Sequence, residues 1–329
     1  MIARYAIPFF FLMTLVVIPV VMAVVFRRLL PRKCWRQVAF ACTLLIYMAV
    51  GYGTFFGYQQ LEVRHVEFAS SDLPQAFDGY RIVQFSDAHV GTMTGSRQWM
   101  LARAVDSIMA QQPDAIVFTG DLQNIRPEEL QEHALLLSRL HAKDGVFSVM
   151  GNHDYPTYLD CDEAEKESLC LLTEQMERQM GWRLLLNEHQ VIRRGGDSIV
   201  IAGMENWGKA KRMPHKGDVK KTLAGLNIEH SSPDTRHPFI VMLQHDPTAW
   251  REKILPECHA QLTLSGHTHG GQMEFFGWSP VAWSYKEWSG MNYEGRRALY
   301  VSTGLGALIP FRLGQPGEIV VVTLKKVKE

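Results

Sequence analysis

The sequence predicts an α/β layered domain that follows a two-helix transmembrane hairpin. The first observation is an alternation of short apolar strands with amphipathic helices, which is typical of parallel βαβ units in a layered α/β domain. The strands are predicted at residues 81–85, 114–119 and 146–150, and the helices at residues 96–112 and from Pro127 onward. The second observation is a pair of long apolar runs near the amino terminus. Each is close to the roughly 20 residues that a helix needs to cross a bilayer.

The two apolar runs, residues 7–26 and 38–58, are predicted to be membrane-spanning helices. Pro8 and Pro19 are compatible with this prediction, because proline is more frequent in membrane helices than in soluble ones. A cleaved signal peptide is the alternative for the first run. Against it, the run is long, no small-x-small cleavage site follows, and two arginines close it. We therefore divide the chain into a transmembrane hairpin at residues 1–58 and a folded domain at residues 59–329.

The short loop between the two runs is strongly basic. It contains Arg27, Arg28, Arg32, Lys33 and Arg36, whereas the amino-terminal side has only Arg4 and the terminus itself. The positive-inside rule places such a loop in the cytoplasm. The sequence therefore predicts a multi-pass protein of a bacterial inner membrane, with the folded domain on the periplasmic or extracytoplasmic side.

Composition narrows the possible partners and covalent links. The chain has 34 basic and 34 acidic residues, so no global field recruits nucleic acid, and we expect none as a specific partner. Its five cysteines are few for a disulfide scaffold. Cys161 and Cys170 bracket a short acidic segment and could pair in an oxidising compartment. Two free thiols at a junction between a loop and a helix are the alternative, and the sequence leaves both open.

The rest of the folded domain continues the alternation of strands and helices. Residues 209–221 form a basic stretch that we interpret as a solvated loop, and residues 275–293 form an aromatic loop. Further strands are predicted at residues 61–68, 198–204, 239–244, 262–265, 298–302 and 318–324, and helices at residues 162–180 and 249–254.

Polar side chains with metal-binding chemistry follow five of the predicted strands. These residues are Asp87 and His89, then Asp121, then Asn152, His153 and Asp154, then His245, and finally His267 and His269. Each alone has an ordinary explanation: Asp121 as a turn residue, Asn152 as a left-handed turn residue, His245 as a core histidine. Open α/β sheets bind their ligands at the carboxyl ends of strands. Five such ends, each with an oxygen or imidazole ligand, together indicate a metal site.

These residues form motifs that resemble those of the calcineurin-like metallophosphoesterase family, and most closely its membrane-anchored bacterial branch. The motifs are Ser-Asp-Ala-His at 86–89, Gly-Asp at 120–121, Gly-Asn-His-Asp at 151–154, His245, and Gly-His-Thr-His-Gly-Gly-Gln at 266–272. The resemblance covers residues 79–325 and implies a β-sandwich flanked by helices, with two metal ions on one rim. It implies one ion held by Asp87, His89, Asp121 and His269, and a second held by Asp121, Asn152, His245 and His267. It also implies that His153 protonates the leaving group and that Asp154 orients His153.

Elementary chemistry supports these roles. Asp121 is a carboxylate, which can bridge two cations without leaving a large uncompensated charge. A bound ion can lower the pKa of its water from about 15.7 to about 7, so the expected nucleophile is a metal-bound hydroxide. Asn152 offers a neutral oxygen beside an anionic substrate, and His153 is free to act as a general acid. Oxygen and imidazole ligands suit manganese, iron and zinc alike.

Three positions depart from the family pattern or extend it. Asn124 stands where family members often have an acid, three residues after the bridging aspartate, which puts the tuning of the metal ligands in doubt. Only Glu205 remains of a run of acids near residues 204–206. Arg312 lies where the family has a late arginine, and we name it as a candidate substrate contact.

The predicted activity is hydrolysis of a phosphodiester or phosphomonoester by a membrane-anchored, dinuclear enzyme. The membrane anchor, with Phe275, Phe276, Trp278, Trp283, Tyr285 and Trp288 after the last motif, favours an envelope or lipid-linked phosphate ester and contact with membrane lipids. The alternatives for the aromatic loop are a hydrophobic lid or plain core. The alternatives for the activity are a cytoplasm-facing pyrophosphatase of a nucleotide-linked lipid intermediate and a non-catalytic metal-binding membrane protein. The oligomeric state stays open.

Overall fold

The amino-terminal hairpin is present as two long helices in the computed structural model, which describes residues 2–226 and 238–328. Helix α1 (Ile2–Leu12) continues through a π-helical turn (Met13–Val17) into α2 (Ile18–Leu29), and α2 packs against α3 (Trp35–Phe55). The continuous helix formed by α1 and α2, and the helix α3, are each long and apolar enough to cross a membrane. Only 6% and 22% of their most apolar windows are buried, so neither is the core helix of a soluble domain.

The hairpin runs into the folded domain without a linker. Helix α3 passes into a 3₁₀ turn (Gly57–Gln59), and a single residue separates that turn from the first strand. Tyr58 is fully buried in the domain core, where its hydroxyl lies 2.7 Å from the hydroxyl of Thr92. The end of the hairpin is therefore packed into the domain.

The domain is built from two six-stranded sheets. In chain order the strands are β1 (Leu61–Ser70), β2 (Arg81–Phe85), β3 (Ala115–Phe118), β4 (Val146–Ser148), β5 (Arg183–Leu184), β6 (Glu188–Arg194), β7 (Asp197–Gly203), β8 (Phe239–Leu243), β9 (Leu262–Ser265), β10 (Gly290–Glu294), β11 (Arg297–Val301) and β12 (Gly317–Lys326). The first sheet has the order β1-β12-β2-β3-β4-β5 and the second the order β10-β11-β9-β8-β7-β6. Most neighbours are parallel, while the β12–β2, β10–β11 and β6–β7 pairs are antiparallel.

Helices cover the outer faces of both sheets. Helices α4 (Gln98–Ala110), α5 (Ala134–Leu137) and α6 (Glu163–Gln179) lie on the first sheet, and α7 (Val219–Thr222), a π-helical turn (Trp250–Ile254) and α8 (Leu255–Glu257) lie on the second. Alternate residues of a strand point to opposite faces. In β2, Ile82 therefore packs between the sheets, whereas Val83 and Phe85 pack with α4. This layering confirms the predicted β-sandwich flanked by helices.

Several local predictions differ from the structure. The segment that begins at Pro127 is one 3₁₀ turn (Pro127–Leu130) and the short α5, because the Glu129 carboxylate accepts hydrogen bonds from the backbone N–H groups of residues 124, 125 and 126 and fixes a tight turn there. Strands β5, β6 and β10 were not predicted. For Cys161 and Cys170, where the sequence left two alternatives open, the structure has two free thiols.

Candidate dinuclear metal centre

The five predicted strand-end motifs meet on one rim shared by the two sheets. Strands β2, β3 and β4 of the first sheet and β8 and β9 of the second all end there. The backbone ties the loops together: the N–H of Asp87 donates to the carbonyl of Gly120 over 2.8 Å, and the N–H of His89 donates to that of Asp121 over 3.2 Å. The fold therefore brings side chains from distant parts of the sequence into one cluster.

A first group of potential ligands consists of Asp87, His89 and His269, whose ligand atoms all lie within 4.8 Å of one another. The Nε2 atoms of His89 and His269 face each other at 3.2 Å, and Nε2 of His269 lies 3.4 Å from Oδ1 of Asp87. Two imidazole nitrogens that face each other share at most one proton, so at least one lone pair points into the space between them. A divalent cation fits that space.

A second group consists of Asp121, His245 and His267. Nε2 of His245 lies 3.2 Å from Oδ2 of Asp121, 3.2 Å from Nδ1 of His267 and 3.2 Å from Oδ1 of Asn152. The amide of Asn152 is turned so that its Nδ2 donates to the Tyr158 hydroxyl over 2.8 Å. Its oxygen is thereby directed at the cluster.

Asp121 lies between the two groups. Its Oδ2 is 3.7 Å from Nε2 of His89 in the first group and 3.2 Å from Nε2 of His245 in the second. Its Oδ1 accepts a hydrogen bond of 2.8 Å from the backbone N–H of His153, which fixes the carboxylate plane. One oxygen is thus used by the backbone, and the other is shared by both groups.

The backbone at the cluster is strained in a way that aims these side chains. Five of the ligands have left-handed backbone, with φ values of 50° (Asp87), 44° (His89), 62° (Asp121), 74° (His267) and 52° (His269). Such values are uncommon outside glycine, and they concentrate at functional sites. Gly266 is required for a different reason: a Cβ there would lie 2.0 Å from Oγ of Ser86 and 2.2 Å from Oδ2 of Asp87.

Burial and the neighbouring carboxylates together set the protonation of the cluster. Burial lowers the pKa of His89 to about 3 and also lowers the pKa values of His267 and His269. These imidazoles are therefore neutral at pH 7, which is the state that binds a metal. Burial also opposes protonation of His245, but the neighbouring Asp121 carboxylate outweighs it and raises the pKa of His245 to about 10.

The hydrogen-bond partners of His153 and Asp154 differ from the prediction that Asp154 orients His153. The Nδ1 atom of His153 lies 2.6 Å from the backbone carbonyl of Asn124, so that carbonyl, and not Asp154, orients the ring. The Asp154 carboxylate instead accepts hydrogen bonds from the backbone N–H groups of Gly151, Asp121, Leu122 and Gln123, at 2.7–3.3 Å. Asp154 therefore holds the β3 and β4 loops together. The Asp154 carboxylate is buried beside two loops whose backbone N–H groups need acceptors, so it binds those groups. The spacing of residues in the sequence does not reveal this contact.

Arg312 also differs from its prediction as a substrate contact. Its side chain is fully buried, and its two terminal nitrogens donate to the carbonyls of Thr303, Gly304, Gly306, Gln315 and Pro316. The loop that it braces carries backbone N–H groups that donate to the carbonyls of Ser86 and Asp87. Arg312 therefore positions the first ligand group from behind.

Sequence reasoning missed three side chains at the site. The Tyr285 hydroxyl lies 2.8 Å from Nε2 of His267 and orients that ring, and the Tyr158 ring packs against His153 with centroids 4.6 Å apart. Arg212 lines the same cavity, of ≈ 250 Å³, as Asp121 and His153. Tyr285 stood in the aromatic loop and Arg212 in the basic stretch, but their placement depends on chain packing that no local pattern encodes.

The two-sheet fold, with carboxylates and imidazoles on its shared rim, is that of the metal-dependent phosphoesterases. The sequence model of the calcineurin-like phosphoesterases matches residues 80–271. The chain belongs to this family and is a phosphoric ester hydrolase. Its candidate metal ligands are the groups described above.

Relatives from several organisms agree with this assignment. The uncharacterized metallophosphoesterase YkuE of Bacillus subtilis is 32% identical over 285 residues, which cover 84% of this chain and 89% of that protein. A transmembrane protein with metallophosphoesterase domain from Danio rerio is 30% identical over 300 residues, 89% of this chain but only 63% of its own length. The UDP-2,3-diacylglucosamine pyrophosphatase LpxG of Chlamydia trachomatis is 27% identical over 308 residues, covering 76% of this chain and 86% of that protein.

Proposed function

We propose that the chain is a membrane-anchored phosphoesterase that uses two divalent ions to hydrolyse an envelope or lipid-linked phosphate ester. The observation that carries the proposal is the position of Asp121, whose Oδ2 lies within 3.7 Å of a histidine nitrogen in each ligand group. A carboxylate so shared is suited to bridging two cations. Such pairs of ions, about 3.5–4 Å apart, clamp the attacking and leaving oxygens of a phosphoryl displacement.

Each ion would have its own set of ligands. Asp87, His89, Asp121 and His269 would hold one ion, and Asp121, Asn152, His245 and His267 the other. When bound, the ions supply a water nucleophile that is ionised near neutral pH and neutralise charge on the phosphoryl oxygens. Manganese, iron and zinc all suit this mixture of oxygen and imidazole donors.

We expect His153 to protonate the leaving group. Its Nδ1 donates to the carbonyl of Asn124, which leaves Nε2 as the atom that exchanges a proton with the leaving oxygen. The residue lines the cavity with Asp121 and Asn152, yet it belongs to neither ligand group. A histidine held beside the metals but unused as a ligand favours catalysis over a purely structural metal site.

The hairpin supports a substrate that comes from the membrane. The backbone N–H of Arg312 donates to the carbonyl of Gly53 in α3 over 3.0 Å, and the ring of Phe311 lies 4.9 Å from that of Phe10 in α1. The same β11–β12 loop (residues 302–316) supplies Leu308 and Ile309 to the wall of the metal cavity. One loop therefore contacts both the hairpin and the cavity, which supports entry of the substrate from the side of the hairpin.

The aromatic loop extends this edge. The backbone of Gln272 and Glu274 pairs with that of Leu313 in the β11–β12 loop, at 2.9 Å for each bond. Directly beyond, Phe276 and Trp283 are exposed to 109% and 82% of their reference areas, and Phe275 and Trp278 are also exposed. Aromatic rings of this kind favour the bilayer interface. We propose that they contact membrane lipids and help to admit a lipid-linked phosphate.

The proposed orientation follows from the charge of the loop between α2 and α3. Its five basic residues favour a cytoplasmic loop, which supports the proposal of a multi-pass inner-membrane protein with residues 59–329 on the periplasmic or extracytoplasmic side. The similarity to LpxG keeps one rival in view, a cytoplasm-facing pyrophosphatase of a nucleotide-linked lipid. A reporter fused after Glu329 separates the two: activity of an alkaline-phosphatase fusion supports our orientation, and activity of a cytoplasm-dependent reporter contradicts it.

The central test is hydrolysis of bis(4-nitrophenyl) phosphate by the purified full-length protein with Mn²⁺. We expect activity that chelators abolish, and a metal content of two ions per chain. The Asp121→Ala variant should lose activity by at least about 10²-fold, the scale of one preorganised electrostatic contact. Asp121→Asn keeps an acceptor for the His153 N–H, so it separates lost bridging from lost folding. Parent-like activity of the alanine variant, or a parent indifferent to chelators, contradicts the proposal.

The membrane contact has its own test. Replacing Trp278 and Trp283 together by alanine should lower turnover of a phospholipid-derived substrate in mixed micelles by about tenfold or more, since burial of one large apolar side chain is worth about 1.5–3 kcal/mol. Hydrolysis of the soluble nitrophenyl diester should be unchanged. Leu135→Ala, at a comparably exposed apolar position of α5, is the control. Equal losses on both substrates would remove the lipid-contact proposal.

A further inference from the structure

A second cavity adjoins the metal cavity and shares part of its wall. We call it the side cleft; its volume is ≈ 680 Å³, large enough for a sugar or nucleoside group. Arg212 and Met213 line both cavities. The loop after β4 also faces both, with His153 and Tyr158 on the metal cavity and Tyr155 on the side cleft. The loop that carries His153 therefore lines both spaces.

The two walls of the side cleft carry opposite charges. One wall is α6, which contributes Glu163, Glu167 and Glu174, and the other is the loop that carries Arg212 and Lys216. Lys166 on α6 is already paired with Glu163 at 2.7 Å. A ligand that fits between such walls has an anionic group on the side of the loop and hydroxyl or other donor groups on the side of α6.

Arg212 is the lone lysine or arginine among the described residues that line the metal cavity. Over residues 2–226 and 238–328, it forms no ion pair with a carboxylate. A guanidinium that has no carboxylate partner in the described part of the chain, and that lies beside a phosphoesterase centre, is suited to binding a phosphate, often with two parallel hydrogen bonds.

We propose that Arg212 binds a second phosphoryl group, on the leaving-group side of the scissile bond, and that the side cleft holds the hydroxyl-bearing remainder of that leaving group. This inference rests on the proposed function and narrows its substrate to a phosphoanhydride with a polar leaving group. Water adds to the phosphorus at the metal centre, and the bond from that phosphorus to the bridging oxygen breaks. The bridging oxygen leaves with the second phosphoryl group, which Arg212 neutralises, and His153 supplies a proton to it.

The test compares inhibition of diester hydrolysis by pyrophosphate and by orthophosphate, at a fixed concentration of free Mn²⁺. Orthophosphate occupies the metal centre alone, whereas pyrophosphate also reaches Arg212. We expect Arg212→Ala to raise the inhibition constant of pyrophosphate about tenfold, the scale of one charge-assisted hydrogen bond, and that of orthophosphate less than about twofold. Arg212→Lys keeps the charge but loses the planar fork, so it should lie between.

The neighbouring Lys211→Ala variant is the matched control, since Lys211 is equally basic and exposed but lines neither cavity. It should leave both inhibition constants unchanged. Equal effects of Arg212→Ala on pyrophosphate and orthophosphate, or a parent that binds both equally, overturn the inference while the phosphoesterase activity stands. Absence of metal-dependent hydrolysis in the parent instead refutes the proposed function, and the inference with it.

Discussion

Replacing Arg312 tests whether this residue supports the site or contacts the substrate. The Arg312→Met variant removes the donors of four buried and one partly buried backbone carbonyl in the β11–β12 loop. Each carbonyl left without a partner costs about 1–3 kcal/mol, and methionine regains part of the sum because no charge remains buried. We therefore expect the free energy of unfolding to fall by about 3–5 kcal/mol.

For a domain of this size, each kcal/mol lowers the Tm by about 2–4 °C, so the expected shift is about 6–20 °C. The measurement is thermal unfolding of the full-length protein in detergent, followed by circular dichroism. Arg312→Lys keeps the charge but cannot reach both sides of the loop, and should fall between methionine and the parent. Arg296→Met, at an exposed position, should leave the Tm unchanged.

Kinetics complete the test of Arg312. If Arg312 supports the site, the Arg312→Met variant should have a lower kcat and a lower metal affinity, because the braced loop holds the backbone carbonyls of Ser86 and Asp87. If Arg312 contacts the substrate instead, the variant should have a higher KM and an unchanged Tm. A methionine variant whose Tm stays within about 2 °C of the parent, against the 2–4 °C expected per kcal/mol, and whose KM rises would refute the supporting role of Arg312.

Three further perturbations test the site and its supports. Gly266→Ala should weaken metal affinity about 10–100-fold, as loss of support to a ligand does, because its Cβ would displace Asp87; metal content after dialysis measures this, and parent-like content contradicts it. His153→Ala should slow hydrolysis of alkyl phosphates by about 10²–10⁴-fold but affect nitrophenyl esters far less, since only the poor leaving group needs an acid; equal losses would exclude the acid role. Burial raises the pKa of Glu177 well above 4.5, so folding takes up a proton and stability falls as the pH rises between the unfolded and folded pKa values, by about 1.4 kcal/mol per unit. Glu177→Gln should flatten that slope in Tm measurements from pH 5 to 8, the exposed Glu167→Gln should not, and an unchanged slope in the former would show that Glu177 is ionised.

The strand-end motifs were predictable because their chemistry is local. An apolar run predicts a buried strand, and a carboxylate or imidazole directly after it must lie at the end of the sheet. The β12 strand lies between β1 and β2 although it is last in the chain, and no pattern in the sequence specifies that pairing. The contacts of Asp154 and Arg312 escaped prediction for the same reason. Each of these side chains forms hydrogen bonds with backbone groups that lie near it only in the folded chain.

The burial of Tyr58 at the end of the hairpin has a kinetic consequence. With Tyr58 in the core and one residue between the 3₁₀ turn and β1, the domain cannot swing on a tether. In the proposed membrane-anchored state it would move with its hairpin in the plane of the bilayer. For a lipid-linked substrate, the rate should then follow the mole fraction of that substrate among the surrounding lipids, and diluting it with inert detergent or lipid should slow turnover even when its bulk concentration is constant.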